Sequence, residues 1–263
     1  MFWFPFIKTR SSITNTKTVV LPKRRFKRSV SKKTMSNLPN KKDYKLENDR
    51  YYIYALQALK QLFTETSCTW QKWIETDIEE YLSTGSVEHH LGAYGGMGSI
   101  NDIWICKVNN HTINDEAEPW ANELMEYLKC LSYGIANIIK AGKEINIEKI
   151  FAESRTRKIL TGIQCESCGF SQIHKRETDS YLASLLLPKM VKEAVLQNKT
   201  EELISACLIP DIPNLVEERE RIIKLAEQSG IGFSASKNSR CKKCGGDTRI
   251  KYWKLDGNIF KPS

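Results

Sequence analysis

Two Cys-x-x-Cys pairs carry the strongest chemical signal in this 263-residue chain: Cys165-Glu166-Ser167-Cys168-Gly169-Phe170 and Cys241-Lys242-Lys243-Cys244-Gly245-Gly246. Each pair supplies two soft thiolate ligands, and tetrahedral Zn²⁺ takes four. A glycine after the second cysteine of each pair lets the backbone fold back beneath the metal. Apolar and alternating residues flank both pairs, with Ile159, Leu160 and Ile163 before the first and Ile250, Tyr252, Trp253 and Leu255 after the second. That is the pattern of a zinc ribbon, in which each knuckle sits on a hairpin. Cys165, Cys168, Cys241 and Cys244 are therefore expected to hold one Zn²⁺. With no open coordination position, the site is structural rather than catalytic. The spacing is unusual, since 72 residues separate Cys168 from Cys241, against the roughly 15–20 of an ordinary ribbon. A helical insert over 177–230 is expected to fill the gap. Two rivals remain, a redox Cys-x-x-Cys pair and a site completed by His174. Lack of a thioredoxin-like βαβ pattern disfavours the redox pair.

The second unusual stretch is His89-His90-Leu91-Gly92-Ala93-Tyr94-Gly95-Gly96-Met97-Gly98-Ser99-Ile100-Asn101-Asp102. Closely spaced glycines permit positive φ, and Ser99 is placed to cap a following helix. Successive N–H groups there could cradle an anion, yet neither the P-loop nor the dinucleotide fingerprint is met. A tight turn between helices uses the same residues. The string Leu91-Gly-Ala-Tyr-Gly-Gly-Met-Gly-Ser-Ile-Asn-Asp-Ile103, after a Trp-containing helix, resembles an uncharacterised family of small bacterial domains of unknown function. The resemblance spans about residues 50–140 and implies a small, mainly helical domain without an assigned activity. It marks Tyr94, Gly95, Gly96, Met97, Gly98, Ser99, Asn101 and Asp102 as a candidate functional loop. An enzyme built here would draw on Asp102 with His89, His90 or His111, but no nucleophile–base–orienter set can be assembled. Cys68, Cys106 and Cys130 read as small core residues.

Around the second Cys pair, Lys237, Arg240, Lys242, Lys243, Arg249, Lys251 and Lys254 gather about Tyr252 and Trp253, with Asp247 the one acid among them. Cations on phosphates and an aromatic on bases would make a nucleic-acid site. Charge compensation of a Zn²⁺–thiolate centre, which carries net −2, explains the same cations. Strand alternation would further divide them, setting Lys251 and Trp253 on one face and Tyr252 and Lys254 on the other.

Helices must position these groups. Period-3.6 apolar stripes run through Tyr51–Phe63, through Trp70–Leu82 with Ser67 or Thr69 as cap, and through Pro119–Ala141. Gly85 and Gly142 stand at the ends of the second and third stripes. Further helices are expected around Pro188, which should kink or split one of them, and over Thr200–Leu208 and Leu215–Gln228. The predicted fold is mainly α with a small β zinc-ribbon-like element: a helical domain over 47–141 and a zinc-knuckle domain over 150–263.

The net charge of +9 does not belong to this body. Residues 1–34 hold ten basic side chains and no acid, leaving 30 basic against 31 acidic elsewhere. Residues 1–46 read as a basic extension: a phosphate-binding arm, a nuclear signal, a transit peptide, or an over-long reading frame with Met35 as the native start. Residues 51–140 are net −7 and 141–263 net +5, an asymmetry expected of two domains. No run of about 20 apolar residues signals a membrane span, and paired cysteines without an export signal suit a reducing, cytoplasmic compartment. The sequence thus points to a non-enzymatic zinc protein acting through a macromolecular partner. Nucleic-acid binding by the basic knuckle and an enzyme at the glycine loop are the alternatives.

Overall fold

Buried aromatic and aliphatic faces build the helical part. In the computed structural model, residues 47–143, 146–153, 158–234 and 240–263 are described, and they fall within one compact unit. The expected extension over 1–46 lies outside the described residues. Helix α1 (Glu47–Glu65) buries Tyr52, Leu56, Leu59, Leu62 and Phe63, spaced three and four apart. Helix α2 (Gln71–Thr84) starts at Trp70 without a side-chain cap, so neither Ser67 nor Thr69 plays that part, and it ends at left-handed Gly85. A short helix α3 (Glu88–Gly92) holds both histidines. Helix α4 (Glu118–Lys140), with Pro119 in its first turn, is the spine: Trp120, Leu124, Leu128, Leu131 and Ile135 are all fully buried. Helix α5 (Ile147–Glu153) follows.

Five strands come next in space. They are β1 (Ile159–Cys165), β2 (Ser171–His174), β3 (Ile231–Ser234), β4 (Thr248–Asp256) and β5 (Ile259–Pro262), in the order β3-β2-β1-β4-β5. Strand β1 pairs antiparallel with β2 and β4, whereas β2 and β3 are parallel. That parallel pair explains the wide cysteine spacing. Parallel neighbours need a long crossover, usually helical, and helices α6 (Lys175–Gln197), α7 (Thr200–Leu208) and α8 (Leu215–Gln228) supply it. Pro188 lies inside α6 without splitting it, although its ring removes the N–H that would meet the Ser184 carbonyl.

One hydrophobic cluster runs from Tyr51 through Leu160, Tyr181 and Ile222 to Phe260. Helix α4 packs against α6 and α1 against α7, so the halves on either side of residues 141–150 share a core. Lys175–Glu116 (2.7 Å) and Arg176–Glu118 (2.6 Å) bridge the same boundary, and Lys192–Glu148 (2.6 Å) ties α6 to the connecting segment. Cys68 is buried as expected. Cys106 is half-buried and Cys130 is exposed, so those two are not core residues. Among the described residues no helix is long and apolar enough to cross a membrane.

Candidate metal centre

The first knuckle is the turn of the β1–β2 hairpin. The Cys165 N–H donates to the Phe170 carbonyl (2.8 Å) and the Gly169 N–H to the Cys165 carbonyl (3.1 Å). The second knuckle repeats this pattern: the Cys241 N–H donates to the Gly246 carbonyl (3.0 Å) and the Gly245 N–H to the Cys241 carbonyl (2.9 Å). Gly169 and Gly245, each directly after the second cysteine, have φ of +71° and +73°, a conformation other residues adopt only with strain. The second knuckle does not cap a hairpin of its own. It connects β3 to β4, on opposite sides of β1–β2, and so crosses the end of the first hairpin. The Glu166 N–H donates to the Asp247 carbonyl (3.0 Å) and the Lys242 N–H to Gln172 Oε1 (3.3 Å), fastening the knuckles together.

The four sulfurs lie within 4.8 Å of one another. Cys165–Cys244 and Cys168–Cys244 are 3.5 Å apart and Cys168–Cys241 3.6 Å. These separations far exceed a disulfide's ~2.05 Å, and all four residues are free thiols. They are close to the edge of about 3.8 Å that four sulfurs at ~2.3 Å from a tetrahedral metal would span. Backbone N–H groups of Cys168 and Lys243 point at the Cys165 and Cys241 sulfurs (both 3.4 Å), as outer-shell donors to thiolate ligands do. A methyl group at Gly246 would stand 2.9 Å from Ser167 Oγ and 3.4 Å from the Cys165 and Cys244 sulfurs, so the glycine leaves room around the cluster. The Cys168 backbone N–H leads in drawing the Cys165 thiol down to about 6. The Gly246 N–H pulls Cys244 the same way, but the neighbouring Cys165 and Cys168 sulfurs outweigh it and push that thiol up to about 12. Packed sulfurs resist shared negative charge, and a central cation relieves it. The cluster is thus able to hold a metal ion, with Cys165 and Cys241 buried and Cys168 and Cys244 exposed. His174 stands outside it, buried at the start of α6.

The residues expected to form a nucleic-acid patch are distributed by the strand. Trp253 is only 4% exposed and packs in the core beside Gly162, so it offers no ring to a base. Lys251 shares its face and is half-buried, while Lys242, Lys243 and Arg249 are exposed.

The glycine loop closes on itself. Gly96 and Gly98 take φ of +85° and +76°. Ser99 caps a 3₁₀ turn at Ile100–Asp102, and Asp102 completes the capping box by accepting the Gly98 (2.7 Å) and Ser99 (3.2 Å) N–H groups. Asn101 Nδ2 donates to the Tyr94 carbonyl (3.3 Å). The Tyr94 hydroxyl donates to the Lys129 carbonyl (3.1 Å), and burial raises its pKa. Buried Lys129 donates to the Ile100 carbonyl (3.1 Å) and pairs with Glu126 (2.6 Å). Gly95 is not in the left-handed region, and Met97 projects fully into solvent.

The histidines find a different acid. Asp77 on α2, wholly buried, receives His89 Nδ1 on one oxygen (2.5 Å) and His90 Nδ1 on the other (2.9 Å). His89 stacks on Trp73 at 4.2 Å, and the Tyr94 hydroxyl stands 3.5 Å from His90 Nε2. His111 Nδ1 accepts the Cys106 N–H (3.2 Å). Asp77 is legible in the sequence in one respect: it falls between Ile74 and Tyr81 on the buried stripe of α2, where a carboxylate requires partners.

Residues 64–114 match a family described as Domain of unknown function (DUF6966). The match lies inside the 50–140 span of the expected resemblance and encloses Asp77, both histidines and the glycine loop, but none of the four clustered cysteines. No curated protein and no solved structure matches the chain.

Proposed function

We propose that this is a zinc-binding protein in which Cys165, Cys168, Cys241 and Cys244 hold one structural Zn²⁺, and which acts through a macromolecular partner in a reducing, cytoplasmic compartment. One observation carries the proposal. Two knuckles with the same backbone hydrogen-bond pattern bring four free thiols together from segments 72 residues apart. Four thiolates suit Zn²⁺ and leave no open position for a substrate. Asp102 caps its own loop, and His89 and His90 pair with Asp77 instead, so the Asp102–His combination of the enzyme alternative is not assembled. Purified full-length protein should contain one zinc per chain. Cys165→Ser or Cys241→Ser should abolish stoichiometric zinc and cost on the order of 3 kcal/mol, lowering the thermal midpoint by roughly 6–12 °C. Protein without stoichiometric zinc, or unaltered folding after all four cysteines are changed to Ser, would overturn the proposal.

A further inference from the structure

Strand β4 turns one face inward, with Trp253 in the core, and the other to solvent, where Ile250 is 63% and Tyr252 48% exposed. The registers extend this outer face sideways: Ile163 lies opposite Ile250, Thr161 opposite Tyr252, and Lys261 opposite Lys254. At its metal end stand the exposed cations Lys242 and Lys243, while Arg249 alternates onto the opposite face with Lys251 and reaches Gln164. Among the described residues, Lys242, Lys243 and Lys254 form no ion pair, whereas Lys261 beside Lys254 is matched by Asp256 and cations of the helices are regularly paired, as at Lys60–Glu75, Lys140–Glu88 and Arg219–Asp179. Compensation of a thiolate centre accounts for Lys242 and Lys243 at most. Lys254 lies six residues along the strand from Thr248, about 20 Å at ~3.3 Å per residue, and is screened from that centre beyond a Debye length of about 8–10 Å.

We infer that this face binds single-stranded nucleic acid, with phosphates on Lys242, Lys243 and Lys254 and a base stacked on Tyr252. The inference names the partner left open above and rests on the metal reading, because the knuckle bearing Lys242 and Lys243 is held by the cysteines. A polyanion fits a line of unmatched positive charge, and the exposed ring between its ends supplies the stacking platform that an acidic protein does not need. A single strand fits better than a duplex, since the ring lies within a sheet face that cannot enter a groove, while unstacked bases can reach it.

The test is fluorescence anisotropy of a labelled dT12 oligonucleotide, and of a matched duplex, with full-length protein whose zinc content is measured in parallel. Binding should weaken with salt. Tyr252→Ala should weaken it roughly 5- to 150-fold. Lys254→Glu should weaken it about tenfold or more at low salt and flatten the salt slope by about 0.7 for each phosphate no longer neutralised. Lys189→Glu, an exposed control on α6, should leave it unchanged. No binding at low salt, tighter binding of duplex, or zinc-loaded Tyr252→Ala and Lys254→Glu proteins with wild-type affinity would overturn the inference. Protein purified without stoichiometric zinc that still binds through these two residues overturns the metal proposal instead.

Discussion

A carboxylate buried as completely as Asp77 must be matched by donors, and here two imidazoles share the task, one on each oxygen. Removing the acid leaves His90 buried with its Nδ1 unmatched, and hydrogen bonds to a charged group contribute about 1.5–3 kcal/mol each. Asp77→Ala should therefore cost about 3 kcal/mol or more in urea unfolding, and a loss below ~1 kcal/mol would show that the cluster contributes little. Met97 is the opposite case. It is fully exposed at the loop tip while its neighbours are spent on the turn, so Met97→Ala should change stability by less than ~0.5 kcal/mol. The glycine loop is visible in the chain as a turn with a Ser99 cap, because glycine and capping chemistry are local. The Asp77 pairing is not, because it joins residues 12 and 13 positions apart on two helices.

Periodicity locates α1, α2 and α4, the three long stripes, as well as α7 and α8. It misses α3 and α5, whose five and seven residues are too few to show a period. Pro188 predicts a kinked or split helix, yet α6 runs through it unsplit because packing of Leu187 and Val191 in the core holds both sides. The sheet is legible only in part. Strand β4 alternates clearly, but β3 has four residues and pairs parallel with β2, so nothing local announces that the 72 residues are a crossover rather than an insert within a ribbon. Gly162 marks how closely the sheet is assembled. A methyl group there would meet the Gln172 carbonyl oxygen at 2.5 Å, Ile173 at 2.8 Å and Trp253 at 3.0 Å. Since the nearest atom is backbone, Gly162→Ala should cost about 1–3 kcal/mol, measured by chemical denaturation. Unchanged stability would mean that β1 and β2 are less closely apposed.

At the scale of the molecule, the acidic and basic halves meet across a shared core, and part of their opposite charge is used at the boundary, in Lys175–Glu116 and Arg176–Glu118. The sheet packs helices on its inner face and leaves β4 open outside, with the cysteine cluster clamping one end where β3 and β4 are joined across the first hairpin. The four thiols are the point where all these long-range connections come together. Zinc K-edge X-ray absorption of the purified full-length protein tests that point most directly. Four sulfur scatterers at about 2.3 Å are expected, whereas a shell of nitrogen and oxygen, or fewer than four sulfurs, would contradict a closed four-thiolate centre.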